Sequence, residues 1–145
     1  MFLGQYEHTI DEKGRLTIPS RYRDLLAGGA TLTQGLDQNI MVLTTDVFSR
    51  MAAQATAMNL TDPNARLLNR LIFSNAEQVE VDRAGRILIP SFLRQAAMLD
   101  TNVRIVGAGE YFEIWSPDGW AKQQIRMQDT DANAQRFSGL QLTTV

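Results

Sequence analysis

One stretch of this sequence, IDEKGRLTIPS at residues 10–20, returns as VDRAGRILIPS at residues 81–91. Aspartate, glycine, arginine, proline and serine hold the same places in both copies, and the apolar positions match in kind. A repeat of this kind indicates two related supersecondary units that bury a common core, because a single unit does not bury its apolar face alone. We therefore expect a chain built from two related halves.

Each copy has the composition of a β-hairpin with a charged tip. An aspartate followed three places later by a glycine favours a tight turn, since aspartate accepts hydrogen bonds from turn amides and glycine adopts positive φ. Residues rich in β-formers lie on both sides of each turn. The proline then closes the strand, because it lacks a backbone donor and suits the first turn of a helix. A helix should follow each hairpin.

The order of elements repeats beyond the hairpins. Helical patterns follow at 19–26 and 90–99, and strands at 31–33, 40–43, 103–106 and 111–115. Capped helices then begin at Asp46 and after Ser116, and a helix at 63–73 connects the halves. Each half is β-β-α-β-β-α, which is too small to bury a good core alone. We predict an α+β fold in which two repeated subdomains pack about a pseudo-twofold axis.

Four segments follow from this pattern. They are a first subdomain at 5–50, a helical linker at 51–76, a second subdomain at 77–122, and a segment at 123–145 that holds the end of the last helix and a flexible tail. The tail is predicted because the sequence after residue 127 is polar and lacks a hydrophobic period.

Composition narrows the class of protein. The 145 residues contain no apolar run of about 18 residues and no signal-peptide pattern, so we predict a cytoplasmic protein without a membrane span. The absence of cysteine excludes disulfides and thiolate metal sites. A net charge of −2 is low for a nucleic-acid binder. The cations nevertheless concentrate around the two repeated stretches, whereas the acidic excess follows Leu99.

The paired aspartate and arginine of each copy have two interpretations. Arg15 with Asp11, and Arg86 with Asp82, could form only exposed ion pairs, each worth ~0–1 kcal/mol. Alternatively, each guanidinium group could donate hydrogen bonds to guanine edges or phosphates, because a β-ribbon fits the DNA major groove. Both roles are compatible if the aspartate orients the arginine.

Several segments resemble the MraZ family of transcriptional regulators. They are MFLGQYEHTIDEKGRL at 1–16, RLIFSNA at 70–76, and Glu113-Ile114-Trp115 with Trp120. The doubled Asp-x-x-x-Arg motif is the specific part, and the resemblance spans nearly the whole chain up to the tail. It implies two SpoVT/AbrB-like subdomains with a double-split β-α-β arrangement, and it favours the DNA interpretation of the two motif arginines.

The resemblance also implies a function and partners. The expected protein is a nucleoid-associated regulator that binds double-stranded DNA at promoter direct repeats and forms a ring-shaped homo-oligomer. It would repress the bacterial cell-division and cell-wall gene cluster, including its own gene. The alternative is an AbrB-like protein-interaction module, either an antitoxin or an assembly scaffold, without DNA specificity of its own.

Other cations near the repeats are expected to contact phosphate, because roughly half to two-thirds of protein–DNA hydrogen bonds go to phosphate and sugar. These residues are Lys13, Arg21, Arg23, Arg83 and Arg94. For Arg23 and Arg94, a solvated helix face is the alternative. The second copy has Arg83-Ala84 where the first has Glu12-Lys13, so we expect the first tip to make the stronger contact.

Motifs of enzymes and cofactor sites are not found in this sequence. His8 is the only histidine and has no second metal ligand near it in sequence. Gly107-Ala108-Gly109 is too short for a dinucleotide fingerprint, and nucleophile-elbow and phosphate-loop patterns are missing. Phe112, Trp115 and Trp120 are predicted to be core or interface aromatics. We therefore predict no cofactor, no metal and no enzymatic activity.

Overall fold

A computed structural model describes residues 1–144, and its elements follow the predicted order in both halves. The first half contains β1 (Gln5–Thr9), β2 (Arg15–Thr17), α1 (Ser20–Arg23), β3 (Ala30–Gln34), β4 (Ile40–Thr44) and α2 (Thr45–Thr56). Helix α3 (Pro63–Ser74) connects it to the second half. That half contains β5 (Glu77–Val79), β6 (Arg86–Leu88), α4 (Ser91–Ala96), β7 (Asn102–Gly107), β8 (Tyr111–Trp115), α5 (Pro117–Gln128) and α6 (Thr130–Arg136). The predicted α+β class with two repeated subdomains is confirmed.

The longer helices begin at side-chain caps. The Thr44 hydroxyl accepts a hydrogen bond from the Val47 amide at 3.2 Å, so α2 begins slightly before the predicted Asp46. Asp62 caps α3 through the Asn64 amide at 2.8 Å, and Ser116 caps α5. Such caps satisfy amides that the first helical turn leaves without an intrahelical partner.

The strands form two antiparallel sheets. The larger sheet has six strands in the order β1-β7-β8-β4-β3-β5, and the smaller sheet pairs β2 with β6. The counterparts in the two halves are β1 and β5, β3 and β7, and β4 and β8. Exchanging each strand for its counterpart reverses the six-stranded order. This symmetric order agrees with the pseudo-twofold axis, which stays a prediction.

The predicted pairing within each hairpin is wrong beyond the turn. Strand β1 pairs with β7, β5 pairs with β3, and the strands that follow the two turns pair with each other. Local pairing is confined to the neighbourhood of each tip: the Asp11 amide donates to the Arg15 carbonyl at 3.0 Å, and the Asp82 amide to the Arg86 carbonyl at 2.8 Å. In the first copy, Ile10 and Leu16 also form an isolated antiparallel bridge. The exchange places the apolar residues of β2 and β6 in a core that the halves share, and this burial outweighs the local pairing.

That core contains residues from both halves. Its fully buried side chains include Leu16, Ile18, Tyr22, Leu32 and Ile40 from the first half, and Ile87, Ile89, Leu93, Ile105 and Phe112 from the second. Trp115 and Trp120 form a smaller buried cluster with Val106, and their ring centroids are 5.8 Å apart. Of the two positions predicted for Phe112, Trp115 and Trp120, core or interface, the structure shows the core.

Helix α6 lies where the sequence indicates a flexible tail. The Asp129 carboxylate accepts a hydrogen bond from the Ala132 amide at 3.1 Å, and Arg136 donates to the Arg126 carbonyl at 3.1 Å. This helix has no buried residue, so its sequence carries no hydrophobic period that would predict it. Val145, the last residue of the predicted tail, lies outside the described residues. Across residues 1–144, every helix is too short or too polar to cross a membrane.

Candidate nucleic-acid interface

The two repeated stretches meet in the two-stranded ribbon of β2 and β6. In its register, Arg15 lies opposite Leu88, Leu16 opposite Ile87, and Thr17 opposite Arg86. Leu16 and Ile87 point into the core, with 0% and 1% of their surfaces exposed. The four remaining residues therefore form the outer face of this ribbon, because side chains alternate between the two faces of a strand.

The outer face carries both motif arginines. Arg15 and Arg86 occupy diagonal positions on it, and diagonal neighbours in an antiparallel pair lie about 7–8 Å apart. One arginine comes from each half of the chain. The structure thus brings the two arginines onto one surface, although they are 71 positions apart in sequence.

Each arginine is held by the aspartate of its own turn. Arg15 Nε donates to Asp11 Oδ2 at 2.7 Å, while Asp11 Oδ1 accepts from the amides of Lys13 at 3.0 Å and Arg15 at 2.9 Å. In the second copy, Arg86 Nε donates to Asp82 Oδ2 at 3.0 Å, and the two amide bonds are repeated at 2.9 Å. Both ion pairs predicted from the sequence are therefore present.

The ion pairs leave the outer edge of each guanidinium group accessible. Among the described residues, the Nη1 and Nη2 atoms of Arg15 and Arg86 have no hydrogen-bond partner, and each side chain keeps 31% of its surface exposed. The hydrogen bond from the Arg15 amide is the largest influence that lowers the pKa of Asp11, and the Arg15 side chain lowers it further. Arg86 lowers the pKa of Asp82 in the same order of causes. The carboxylates therefore remain ionised and keep the arginines oriented at neutral pH.

Each turn is also fastened by the opposite half. Gly14 and Gly85 adopt φ values of +84° and +78°, a conformation that favours glycine. The Gly85 carbonyl accepts from the Ile18 amide at 2.8 Å, and the Gly14 carbonyl accepts from the Ile89 amide at 2.8 Å. The position of each tip is consequently tied to the strand that follows the other tip.

Arg23 and Arg94 also connect the two halves, because each contacts the turn of the opposite half. Arg23 Nε donates to the Ile18 carbonyl at 2.9 Å, and its guanidinium group lies so close to Gly85 that an added Cβ there would stand 2.5 Å from Arg23 Cζ. Arg94 Nε donates to the Ile89 carbonyl at 3.1 Å and lies against Gly14 at a corresponding distance of 3.2 Å. Both arginines are partly buried. The solvated helix face considered for them is therefore wrong, whereas their contact with phosphate stays a prediction.

The other predicted phosphate-binding residues are exposed and lie within a few positions of β2 or β6 in the sequence. Lys13 and Arg83 lie in the two turns, and Arg21 lies in α1. Of the ion pairs among residues 1–144, none includes these three side chains. Their charges are available to an anionic partner.

Thr17 and Leu88 were not predicted as site residues, yet they share the outer face with the two motif arginines. Strand alternation from Arg15 to Thr17, and from Arg86 to Leu88, is the signal that could have identified them. The interstrand register that sets them beside the arginines is not encoded locally.

Metal ligands do not cluster in the described part of the chain: it contains no group of three or more His, Asp or Glu side chains able to hold an ion. His8 is partly buried on β1, where burial is the main cause that lowers its pKa and the Arg23 charge contributes.

Comparison with known proteins links this arrangement to one family. The family model described as "MraZ protein, putative antitoxin-like" matches residues 1–71 and again residues 72–139. A protein of Roseiflexus castenholzii named "Transcriptional regulator MraZ" is 44% identical over 95% of this chain and 94% of its own length. Its namesake in Thermomicrobium roseum is 40% identical over 97% of this chain and 99% of its own length. The two matched halves, each with one Asp-x-x-x-Arg turn, and these full-length relatives show that the chain belongs to the MraZ family.

Proposed function

We propose that this chain is a sequence-specific DNA-binding transcriptional regulator that inserts the β2–β6 ribbon into the major groove. The observation that carries the proposal is the outer face of the ribbon, where one aspartate-held arginine from each half lies at a diagonal position. Relatives of this chain are named transcriptional regulators, which agrees with such a role.

The geometry suits direct recognition of guanine. A guanidinium group whose Nε is fixed by a carboxylate still offers its Nη atoms, and arginine pairs bidentately with the O6 and N7 atoms of guanine. Lys13, Arg83 and Arg21 would contact phosphates beside the groove. Such contacts position a protein on DNA without reading its sequence.

A single copy with a net charge of −2 should bind DNA weakly, and assembly of several copies would raise the affinity. We infer that several copies in a ring-shaped homo-oligomer bind promoter direct repeats together, since linked sites raise avidity by ~10²–10⁴ without new contacts. The promoter would be that of the cell-division and cell-wall gene cluster that includes the protein's own gene, and binding would repress it.

Fluorescence anisotropy with a duplex from the region upstream of its own gene tests the proposal. Arg15→Ala and Arg86→Ala should each weaken binding by ~1–3 kcal/mol and relax the base preference at one position, because each removes a bidentate base contact. Lys13→Ala should instead weaken binding to all sequences and reduce the salt dependence.

Arg126→Ala is the matched control, since it removes the same charge from α5. Wild-type affinity and base preference in both Arg15→Ala and Arg86→Ala would overturn the proposal. If those variants instead lost binding to a protein partner, the chain would be an interaction module of the antitoxin or scaffold type.

A further inference from the structure

An apolar side chain stands among the polar groups of the proposed DNA-binding face. Leu88 is 54% exposed, although Ile87 and Ile89 on either side of it are 1% and 0% exposed. It lies directly opposite Arg15 in the ribbon, so their Cβ atoms are about 5 Å apart. Leu88 is therefore held at the surface by strand alternation and shares the face from which Arg15 would contact a base.

The position related to Leu88 in the first half is occupied by Thr17. Both residues lie two places after a motif arginine, and each faces the arginine of the other strand. The two arginines of the face are thus chemically equivalent, but their cross-strand neighbours differ: one is an isobutyl group and the other carries a hydroxyl. The surface around Arg15 is therefore more apolar than the surface around Arg86.

We propose that Leu88 is a specificity-determining residue that packs on the C5-methyl group of a thymine. This inference rests on the proposed function and names one base that the ribbon reads. In the major groove the thymine methyl is the apolar feature among hydrogen-bonding groups, and apolar side chains contact it there. Because successive bases are 3.4 Å apart along a strand and Leu88 is about 5 Å from Arg15, the thymine lies about one or two base pairs from the guanine that Arg15 contacts.

The difference between Leu88 and Thr17 gives the bound sequence a direction. A face with two equivalent arginines and equivalent neighbours would suit a palindromic element. A leucine on one side alone favours an element whose two ends differ. Head-to-tail repeats of such an element would match a ring of identically oriented copies, because a heterologous interface that closes generates a ring.

Replacement of thymine by uracil tests the contact, since uracil lacks only the methyl group. The full chain is titrated with a duplex from the region upstream of its own gene, and with variants in which each thymine is changed singly to uracil. For the wild type, one thymine close to an essential guanine should show about a threefold to fivefold loss of affinity, the value of one methyl group removed from water. Leu88→Ala should bind both duplexes equally.

A control variant separates this contact from general effects. Leu67→Ala shortens another exposed leucine, on α3, and should retain the uracil penalty. A uracil series without any penalty, or a penalty that Leu88→Ala retains in full, would overturn the inference.

The same titrations distinguish failure of this inference from failure of the proposed function. If Arg15→Ala and Arg86→Ala lose affinity while the uracil series is flat, the proposed function stands and the role of Leu88 is wrong. If the wild type does not bind the duplex, or the two arginine variants bind as tightly as it does, the function and the inference fall together.

Discussion

Asp11 and Asp82 each use both carboxylate oxygens within their own turn. One oxygen accepts two backbone amides, and the other accepts the Nε atom of the motif arginine. A protonated carboxyl group would replace one acceptor lone pair by a donor and lose its charge, so three accepted hydrogen bonds, one of them from a guanidinium group, favour the ionised form. The orientation of the two arginines consequently depends on the charge of the two aspartates.

This dependence predicts the acid behaviour of the tips. Asp11 and Asp82 have folded-state pKa values below the ordinary 3.8. They therefore contribute stability that is fully present above about pH 4 and is lost as the pH falls through the lowered folded-state pKa. Titration of the Asp11 and Asp82 Cγ chemical shifts by NMR should give midpoints below the ordinary value.

Arg15→Ala provides the control for that titration. It should raise the midpoint of Asp11 toward the ordinary value, because the guanidinium group contributes to the shift, and leave Asp82 unchanged. Ordinary midpoints for both aspartates in the wild type would show that these hydrogen bonds are not formed in solution.

At the scale of elements, each turn depends on a helix of the other half. The α1 helix supplies Arg23 against Gly85, and α4 supplies Arg94 against Gly14. Each arginine packs against its glycine and donates a hydrogen bond to a backbone carbonyl, that of Ile18 for Arg23 and that of Ile89 for Arg94. The two tips are thus braced crosswise rather than each by its own helix.

Because each arginine contacts the turn of the other half, its removal should destabilise the turn of the opposite half. Arg23→Ala removes both the hydrogen bond to the Ile18 carbonyl and the side chain that packs against Gly85. Amide hydrogen exchange at residues 82–86 should therefore become about fivefold faster, since one hydrogen bond is worth roughly 1 kcal/mol. Arg94→Ala should do the same at residues 11–15. Hydrogen exchange followed by mass spectrometry measures both effects.

Arg21→Ala, a neighbouring exposed change in the same helix, should leave both turns unaffected. Faster exchange confined to the turn of the same half as the substitution would contradict the crosswise arrangement.

Local chemistry predicts many elements but not their partners. The Asp-x-x-Gly turns, the caps at Asp62 and Ser116 and the strand Tyr111–Trp115 all follow from nearby residues. The pairing of β2 with β6 does not, because it arises from burial shared by residues 71 positions apart. The contact of Arg23 with Gly85 is not predictable for the same reason, although an arginine five places after both Ile18 and Ile89 indicates a shared structural role.

At the scale of the whole molecule, neither half completes its own sheet. Among residues 1–144, strand β1 pairs only with β7 of the second half, and β5 pairs only with β3 of the first. The ribbon needs one strand from each half, and the main core draws on both. We therefore expect the halves to unfold as one cooperative unit, although each is matched separately by the family model.

This interdependence predicts fragment complementation. The separate segments 1–76 and 77–145 should each lack a cooperative thermal transition, because each would expose apolar residues that the other covers. Mixing them in equal amounts should restore the circular-dichroism spectrum and the amide dispersion of the intact chain. A fragment that unfolds cooperatively alone would contradict the prediction.

The exchange of strands also has a consequence during protein synthesis. A nascent chain acquires Arg15 early, but the strand that sets this arginine beside its counterpart is made only when residues 86–88 have left the ribosome, and β1 must wait for β7. A prematurely terminated chain that ends before β6 would contain Arg15 but could not form the β2–β6 ribbon. If the proposed function holds, an incomplete chain that lacks β6 and β7 should not compete with the finished protein for DNA.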